Sequence, residues 1–381
     1  MQKWNIQYLK QLHNKYSKIS RDTKDPTLSL EYENTANSIL DIIDRYYEME
    51  RRRPRFTGAY EVSSHKSIVS SDFSIVSDYG IYCPYVRFLS EYYDILAINP
   101  NTDLPIIDTN VNKLLSVSSS FYESFGGIYS DTFKKMAKSF NDTIHLKKIT
   151  GSTITAGQTY SVYNTDLTFF ELGYNKTLQD YVSTIHEFGH GISCNLNPGA
   201  MWDFGKYCFI EVDSLFFELV GTDYLGETLG RKKDAFDINM HVLKDYIYSA
   251  MLISVKLDMY SMCDRKDLNN HRFVKNFLHN EMRLNKLGVS DVMKTYIREY
   301  MHYIISYLTA IELYLIYQES PDVALELLFK IIKTTKDGNK EYLEYIKSLG
   351  LEPGKNFDNY ITLLFNKAKE VKDEKSLQYK N

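Results

Sequence analysis

Apolar side chains recur at intervals of three and four residues through most of the chain, and this spacing is typical of amphipathic helices. The helical spacing is clearest from Thr177 onward. At the start of this region, Thr177 and Asp180 also match the pattern of a capping box. The pattern predicts helices at residues 177–195, 206–220, 233–262, 267–285, 290–318, 321–335, 340–349 and 357–371. Helical spacing is also present in residues 1–53, 85–96 and 111–140. We therefore expect a mainly α protein.

Two stretches depart from the helical pattern. Residues 55–83 contain Ser, Ile, Val and Tyr at short intervals, which is closer to strand or irregular structure. In the segment Gly151–Asn164, small residues alternate with β-branched or aromatic ones around Gly157, which predicts a short β hairpin. The turn-rich segment NPNTDLP, at residues 99–105, is the best candidate for a domain boundary. We expect an N-terminal helical and irregular part, residues 1–105, and a larger helical domain, residues 106–381.

The composition supports long helices. Average usage would give about 27 Gly and about 19 Pro in a chain of this length, but the sequence has 18 Gly and 8 Pro among 381 residues. Residues that interrupt helices are therefore scarce. Tyrosine is abundant, with 32 Tyr against 20 Phe. Because phenol hydroxyls need hydrogen-bond partners or water, many of these rings should lie at polar positions within the protein or at its surface.

Charge and cysteine content exclude several classes of protein. The formal net charge is -4, so there is no overall field that would attract nucleic acid or an anionic membrane. The 4 Cys residues show no CxxC spacing and are too few for a disulfide framework in this length of chain. Residues 1–18 are charged throughout, with no apolar run typical of a signal peptide or membrane span. We expect a soluble, cytoplasmic protein without a nucleic-acid or membrane partner.

The sequence HEFGH lies within the predicted helix at 177–195. His186 and His190 are four residues apart, so they lie on one helix face and can bind a single Zn²⁺. Glu187 is rotated by about 100° from His186, which places its carboxylate beside a metal-bound water rather than on the metal. A catalytic zinc site of this type needs a third protein ligand and an open fourth position.

The next predicted helix supplies a candidate third ligand. Glu211 has apolar neighbours along this helix, and a carboxylate buried there needs a partner because an unpaired charge would be costly. Zinc could be this partner. Glu218 lies seven residues later on the same face and could accept the outer N–H of a ligand histidine. Asp180 could do the same, although a helix cap is an equally good interpretation of that residue.

Two strings carry a resemblance to a known family. LGYNKTLQDYVSTIHEFGHG, at 172–191, and FIEVDSLFFE, at 209–218, resemble the metal-binding helices of the thimet oligopeptidase and oligoendopeptidase F zinc peptidases. The 25-residue separation of His186 from Glu211 is similar to that of the oligoendopeptidase F branch. The resemblance implies one zinc ion held by His186, His190 and Glu211, with Glu187 as the catalytic base. It also implies a helical zincin-type fold, with a small β hairpin or sheet lining the active-site cleft.

Two further segments resemble parts of this family that contact the substrate. AGQTYS, at 156–161, is similar to the strand that lines the cleft, and it implies that Gly157 and Tyr160 bind substrate. REYMHYIISYLTAIELYLIY, at 298–317, resembles the segment that stabilises the oxyanion, with His302 and Tyr307 at the matching positions. On an unbroken helix these two side chains would lie about 140° apart, so only one could face the metal. Tyr303 is an alternative donor, because it lies with Tyr307 on a helix face that is rich in tyrosine and that either borders the cleft or packs on neighbouring helices. The tyrosines of this face are Tyr296, Tyr300, Tyr303, Tyr307, Tyr314 and Tyr317.

The implied activity is that of a zinc metalloendopeptidase acting on short peptides. The resemblance covers roughly residues 150–375, and the chain lacks most of the N-terminal helical half that is usual in the family. Two alternatives remain at this point. One is a zinc carboxypeptidase of the Taq carboxypeptidase type, which also pairs HExxH with a distal helical Glu. The other is a catalytically inactive zinc-containing binding protein.

Overall fold

A computed structural model describes residues 3–51, 80–98, 107, 111–148, 157–198, 207–263, 267, 270–280, 292, 297–334 and 339–378. The predicted domain boundary between residues 105 and 106 lies outside these ranges, as do residues 55–79 of the strand-like stretch. Residues 80–82 of that stretch form a short 3-10 helix instead of a strand.

The described part of the chain is mainly helical, as the apolar spacing predicts. The helices before the sheet are α1 Ile6–Asp22, α2 Pro26–Arg51, α3 Cys83–Ser90, α4 Val111–Ser124, α5 Gly127–Ala137 and α6 Phe140–Thr143. The helices after it are α7 Leu178–Leu196, α8 Tyr207–Thr228, α9 Lys232–Met262, α10 His271–Asn280, α11 Ile297–Glu319, α12 Pro321–Lys333, α13 Asn339–Ser348 and α14 Phe357–Gln378. None of the helices in this described part is both long enough and apolar enough to cross a membrane.

A three-stranded sheet lies against the helices. Its strands are β1 Ile144–Lys148, β2 Gly157–Ser161 and β3 Thr168–Tyr174, in the spatial order β1-β3-β2. β2 pairs antiparallel with β3, and β1 pairs parallel with β3. Of the segment 151–164 predicted as a hairpin, residues 151–156 lie outside the described residues, and residues 157–161 form β2, which pairs with the later segment β3. The connecting turn contains Asn164, which adopts a positive φ of 57°.

Helix α7 packs between the sheet and helix α8. Its buried face is built from large apolar side chains of Tyr181, Val182, Ile185, Phe188 and Ile192. Two glycines let α7 and α8 approach closely. A Cβ atom on Gly189 would lie 3.0 Å from Cα of Ser214, and one on Gly221 would lie 2.9 Å from Cγ2 of Ile185. This close contact brings the acidic residues of α8 beside the histidines of α7.

Helix α11 runs unbroken through the core and supports the C-terminal helix at two points. Glu312 accepts hydrogen bonds from the backbone N–H and the side-chain amide of Asn356, at 2.8 and 2.7 Å, just before α14 begins. Further along, Tyr314 donates to Asp223 at 2.5 Å, and Lys367 of α14 binds the same carboxylate at 2.5 Å. These contacts fix α14 against α8 and α11.

Candidate active site

The side chains of His186, His190 and Glu211 converge between helices α7 and α8. Their ligand atoms all lie within 4.8 Å of one another. Nε2 of His186 and Nε2 of His190 are each 3.7 Å from Oε2 of Glu211. The histidine spacing places both imidazoles on one face of α7, and Glu211 faces them from the first half of α8.

These residues fit a zinc ion. Tetrahedral zinc with bonds of about 2.0–2.2 Å would separate its ligand atoms by about 3.4 Å, close to the 3.7 Å observed for both nitrogen–oxygen pairs. Oε2 of Glu211 is buried and makes no hydrogen bond within the described part of the chain. A buried carboxylate oxygen without a hydrogen bond is costly, and a cation bound between the three residues would satisfy it.

Glu218 fixes the orientation of His186. Its Oε2 lies 2.8 Å from Nδ1 of His186, so Nδ1 carries the proton and Nε2 turns towards Glu211. Burial alone would lower the pKa of His186. The hydrogen bond to Glu218 and the charges of Glu218, Glu187 and Glu211 outweigh burial and raise this pKa to about 10.

Glu187 is buried, and strand β2 contacts it on one side. The hydroxyl of Thr159 donates to Oε2 of Glu187 at 2.6 Å. A Cβ atom on Gly157 would lie 2.3 Å from Cγ of Glu187, so only glycine leaves room for this side chain. Gly157 therefore lies at the candidate site, where its backbone packs directly on Glu187.

Burial raises the pKa of both central carboxyl groups. For Glu187 the rise is opposed by the charge of His186 and the hydrogen bond from Thr159. For Glu211, burial and the charges of Glu187 and Glu218 raise the pKa to about 7, against the effects of His186 and a hydrogen bond from Tyr303. Without a cation, these neighbouring carboxyl groups hold protons more readily than in water.

Helix α11 brings Tyr303, but not Tyr307, to the three candidate metal ligands. Tyr303 makes a hydrogen bond to Glu211. The ring of Tyr307 stacks on Tyr246 with centroids 4.0 Å apart, and its hydroxyl lies 3.3 Å from that of Tyr360. His302 is buried, with its ring centroid 6.3 Å from that of Tyr82. Tyr303 and Tyr307 lie one turn apart on nearly the same face of the unbroken helix α11, but their hydroxyls have different partners, Glu211 for Tyr303 and Tyr360 for Tyr307.

Two other predicted residues have contacts away from the candidate metal ligands. Tyr160 accepts a hydrogen bond from Nε of Arg45 at 2.8 Å and donates to Gln158 at 2.6 Å. This is the opposite face of β2 from Thr159, so the sheet does not bring Tyr160 to Glu187. Asp180 accepts backbone N–H groups of residues 175 and 177, at 3.0 and 3.2 Å, which supports its interpretation as the cap of α7.

Sequence reasoning missed Thr159. The resemblance singled out Gly157 and Tyr160, but residues three apart in a strand point to opposite faces of the sheet. Once Gly157 is placed against the HEFGH helix, the alternation of the strand puts Thr159 on the same face. The strand period was therefore the signal that could have identified Thr159.

Comparisons with known proteins show that the fold is similar to that of solved peptidase structures. No family model matches the chain, and no curated protein does. The structure of PZ peptidase A with inhibitor 2 has a TM-score of 0.52 at 11% identity, over 94% of this chain and 75% of that one. A chain assigned as an oligoendopeptidase F has a TM-score of 0.51 at 15% identity, over 96% of this chain and 66% of that one.

A third solved structure agrees with these two. A chain assigned as a peptidase from Chlamydophila abortus has a TM-score of 0.52 at 13% identity. The match covers 96% of this chain and 63% of that one, so the chain spans roughly two thirds of the length of these structures. The mainly α fold with a small sheet is confirmed, and so is the resemblance to oligoendopeptidase F at the level of the fold.

Proposed function

We propose that the chain is a zinc-dependent metalloendopeptidase that hydrolyses internal bonds of short peptides. One observation carries the proposal. His186, His190 and Glu211 converge within 4.8 Å, and the buried carboxylate of Glu187 follows directly after the first of these ligands. Two histidines and a glutamate with an adjacent acidic residue form a ligand set typical of hydrolytic zinc sites.

Each residue of the proposed site has a separate role in hydrolysis. A zinc ion held by the three ligands would act as a Lewis acid and lower the pKa of a water molecule. Glu187 accepts a proton from the attacking water and then donates it to the leaving amine nitrogen, which regenerates the carboxylate. Glu218 holds His186 in the tautomer that leaves Nε2 available as a ligand.

Tyr303 is the residue of α11 that we assign to the carbonyl oxygen. Its hydrogen bond to Glu211 places it beside the ligand set, and a phenol hydroxyl there can stabilise the negative charge that develops on the oxygen. The proposal gives no step to Tyr307, because that hydroxyl pairs with Tyr360 in the core. The proposal also assigns no proton transfer to His302.

Strand β2 supports a peptide as the substrate. Within the described part of the chain it is an edge strand, since its only strand partner is β3. Residues of the same strand contact Glu187, so an extended peptide pairing with its outer edge would lie next to the base. We therefore assign an oligopeptide as the partner of this site.

The experiment compares wild type with Glu187→Gln on a quenched peptide blocked at both ends. Wild type should bind one zinc ion and cut the peptide internally, and a chelator should abolish the activity. Glu187→Gln should retain zinc but lose about 10²-fold or more in kcat, because the proton acceptor is gone. Glu227→Gln, an exposed change on α8, is the matched control and should keep full activity.

The outcomes separate the alternatives. Full activity of zinc-loaded Glu187→Gln would mean that another group is the base. Release of single residues from a free carboxyl terminus, without internal cuts, would indicate a carboxypeptidase. If zinc-loaded wild type cleaved no member of a mixed peptide library, the inactive binding protein would be the better description.

A further inference from the structure

The contact between Thr159 and Glu187 joins strand β2 to the helix that carries the HEFGH sequence. Oγ1 of Thr159 lies 2.6 Å from Oε2 of Glu187 and 3.0 Å from the backbone carbonyl oxygen of Glu187. A hydroxyl has one proton to donate. The shorter distance and the greater charge of the carboxylate favour donation to Oε2, because hydrogen bonds to ionised groups are short and strong.

The second carboxylate oxygen of Glu187 lies over Gly157. A Cβ atom on Gly157 would be 2.7 Å from Oε1 and 2.3 Å from Cγ of Glu187. Gly157 and Thr159 share one face of β2, because side chains alternate along a strand. The same strand therefore holds one oxygen of Glu187 and leaves space for the other.

We propose that Thr159 is a positioning residue that holds Oε2 of Glu187, so that Oε1 is the oxygen that carries the proton during hydrolysis. The proposal rests on the proposed peptidase function. Oε1 takes the proton of the attacking water while the water oxygen forms a bond to the carbonyl carbon. Oε1 then gives this proton to the amide nitrogen as the carbon–nitrogen bond breaks, and the carboxylate is restored.

A merely structural role for Thr159 is the competing explanation, since its hydroxyl also lies near the backbone of α7. Ser161 offers a matched control. It lies two residues later on the same face of β2, is equally buried, and makes a side-chain hydrogen bond to Cys194 of α7. Removing its hydroxyl disturbs the same strand and the same helix without touching Glu187.

The experiment compares Thr159→Val, Thr159→Ser and Ser161→Ala in the zinc-loaded protein. Thr159→Val keeps the shape but removes the donor, and it should lower kcat by about 10- to 100-fold with little change in KM, because the base loses its fixed position. Thr159→Ser should restore kcat to within about threefold. Ser161→Ala should resemble wild type. Zinc content is measured for each variant and should be unchanged.

A second readout does not depend on turnover. A peptide hydroxamate presents an acidic N–O–H group to the base carboxylate, and calorimetry gives its affinity for the zinc-loaded protein. Thr159→Val should bind it at least about tenfold more weakly than Thr159→Ser, because the receiving carboxylate is no longer held. In Gly157→Ala the added methyl would displace Glu187, so this variant should lose both kcat and hydroxamate affinity, as Thr159→Val does.

Three results would overturn the inference. They are a kcat for Thr159→Val equal to wild type, equal losses in Thr159→Val and Ser161→Ala, or hydroxamate affinity that is the same in the Val and Ser variants. If zinc-loaded wild type fails to hydrolyse peptides, the proposed function fails, and the inference about proton transfer fails with it. Active wild type with an equally active Thr159→Val rejects the inference alone.

Discussion

At the scale of single residues, the contact between Glu218 and His186 controls the protonation of a candidate metal ligand. Glu218 holds the proton on Nδ1 of His186 and raises the pKa of this imidazole to about 10 despite its burial. In the metal-free protein at neutral pH, His186 is therefore cationic and Nε2 also carries a proton. Zinc can bind Nε2 only when that proton leaves.

This arrangement predicts a pH-dependent zinc affinity. Glu211, with a pKa of about 7, is largely ionised above neutral pH, while His186 is still protonated up to about pH 10. Between pH 7 and pH 9 each unit of pH should raise the apparent affinity of wild type by about tenfold, as one proton is displaced. Chelator competition across this range measures the slope.

Glu218→Gln tests the cause of this slope. Loss of the negative charge should return the pKa of His186 towards or below its ordinary value, since burial then dominates. The affinity of this variant should become nearly flat above pH 7. Glu227→Gln, an exposed change on the same helix, should keep the slope of wild type. A flat profile for wild type would contradict the pKa assigned to His186.

The convergence of the candidate metal ligands was predictable because a helix fixes which side chains share a face. The spacing of His186 and His190, and of Glu211 and Glu218, converts directly into geometry. Thr159 was not predicted, because its contact with Glu187 depends on how a strand packs on a helix 28 residues further along the chain. Tyr307 illustrates the same limit, since its stacking partner Tyr246 belongs to a distant helix.

At the scale of the elements, helix α11 links the site to the C-terminal helix. Tyr303 makes a hydrogen bond to Glu211, and nine residues later Glu312 caps α14 through Asn356. Glu312 is buried, so its carboxylate replaces water for both the backbone N–H and the side-chain amide of Asn356. The cap should therefore contribute measurably to stability.

Glu312→Ala should lower the free energy of unfolding by about 1–3 kcal/mol, because it leaves two donors of Asn356 without their acceptor. Urea denaturation followed by circular dichroism measures this loss. Glu326→Ala removes an exposed carboxylate of α12 that pairs with Lys330 of the same helix, and it should leave the midpoint unchanged. Equal midpoints for Glu312→Ala and wild type would show that the cap contributes nothing.

Helix ends were harder to predict than helix positions. The first helix that carries candidate metal ligands, predicted at 177–195, is observed at Leu178–Leu196. The second was predicted to end at residue 220 but continues to Thr228. Gly221, which marked the predicted end, lies inside the helix because Ile185 of α7 packs where its side chain would be. A glycine selected for close packing looks the same in a sequence as one selected for a turn.

At the scale of the whole molecule, the excess of tyrosine has a partial explanation. Several buried hydroxyls join separate helices: Tyr122 donates to the carbonyl of Ile185 at 2.5 Å, and Tyr129 donates to that of Leu325 at 2.7 Å. The Ile185 carbonyl lies directly before His186 in α7. Composition alone predicts that such partners exist, but which helices they join depends on tertiary packing.

A bound metal should also stabilise the whole molecule, because its ligands come from two helices. His186 and His190 belong to α7 and Glu211 belongs to α8, so the complete ligand set exists only in the folded chain. An ion that binds only the folded state at 100 times its Kd adds about 2.7 kcal/mol to the free energy of unfolding. Zinc should therefore raise Tm by a few degrees over protein treated with chelator.

Histidine variants show whether this stabilisation comes from the proposed site. His186→Ala removes a ligand and should abolish the zinc-dependent rise in Tm, which differential scanning calorimetry measures. His241→Ala removes a more exposed histidine that pairs with Asp245 on α9, and it should keep the full rise. An equal rise in His186→Ala and wild type would mean that zinc stabilises the protein elsewhere. Because each variant is compared with and without zinc, the direct cost of losing a side chain cancels.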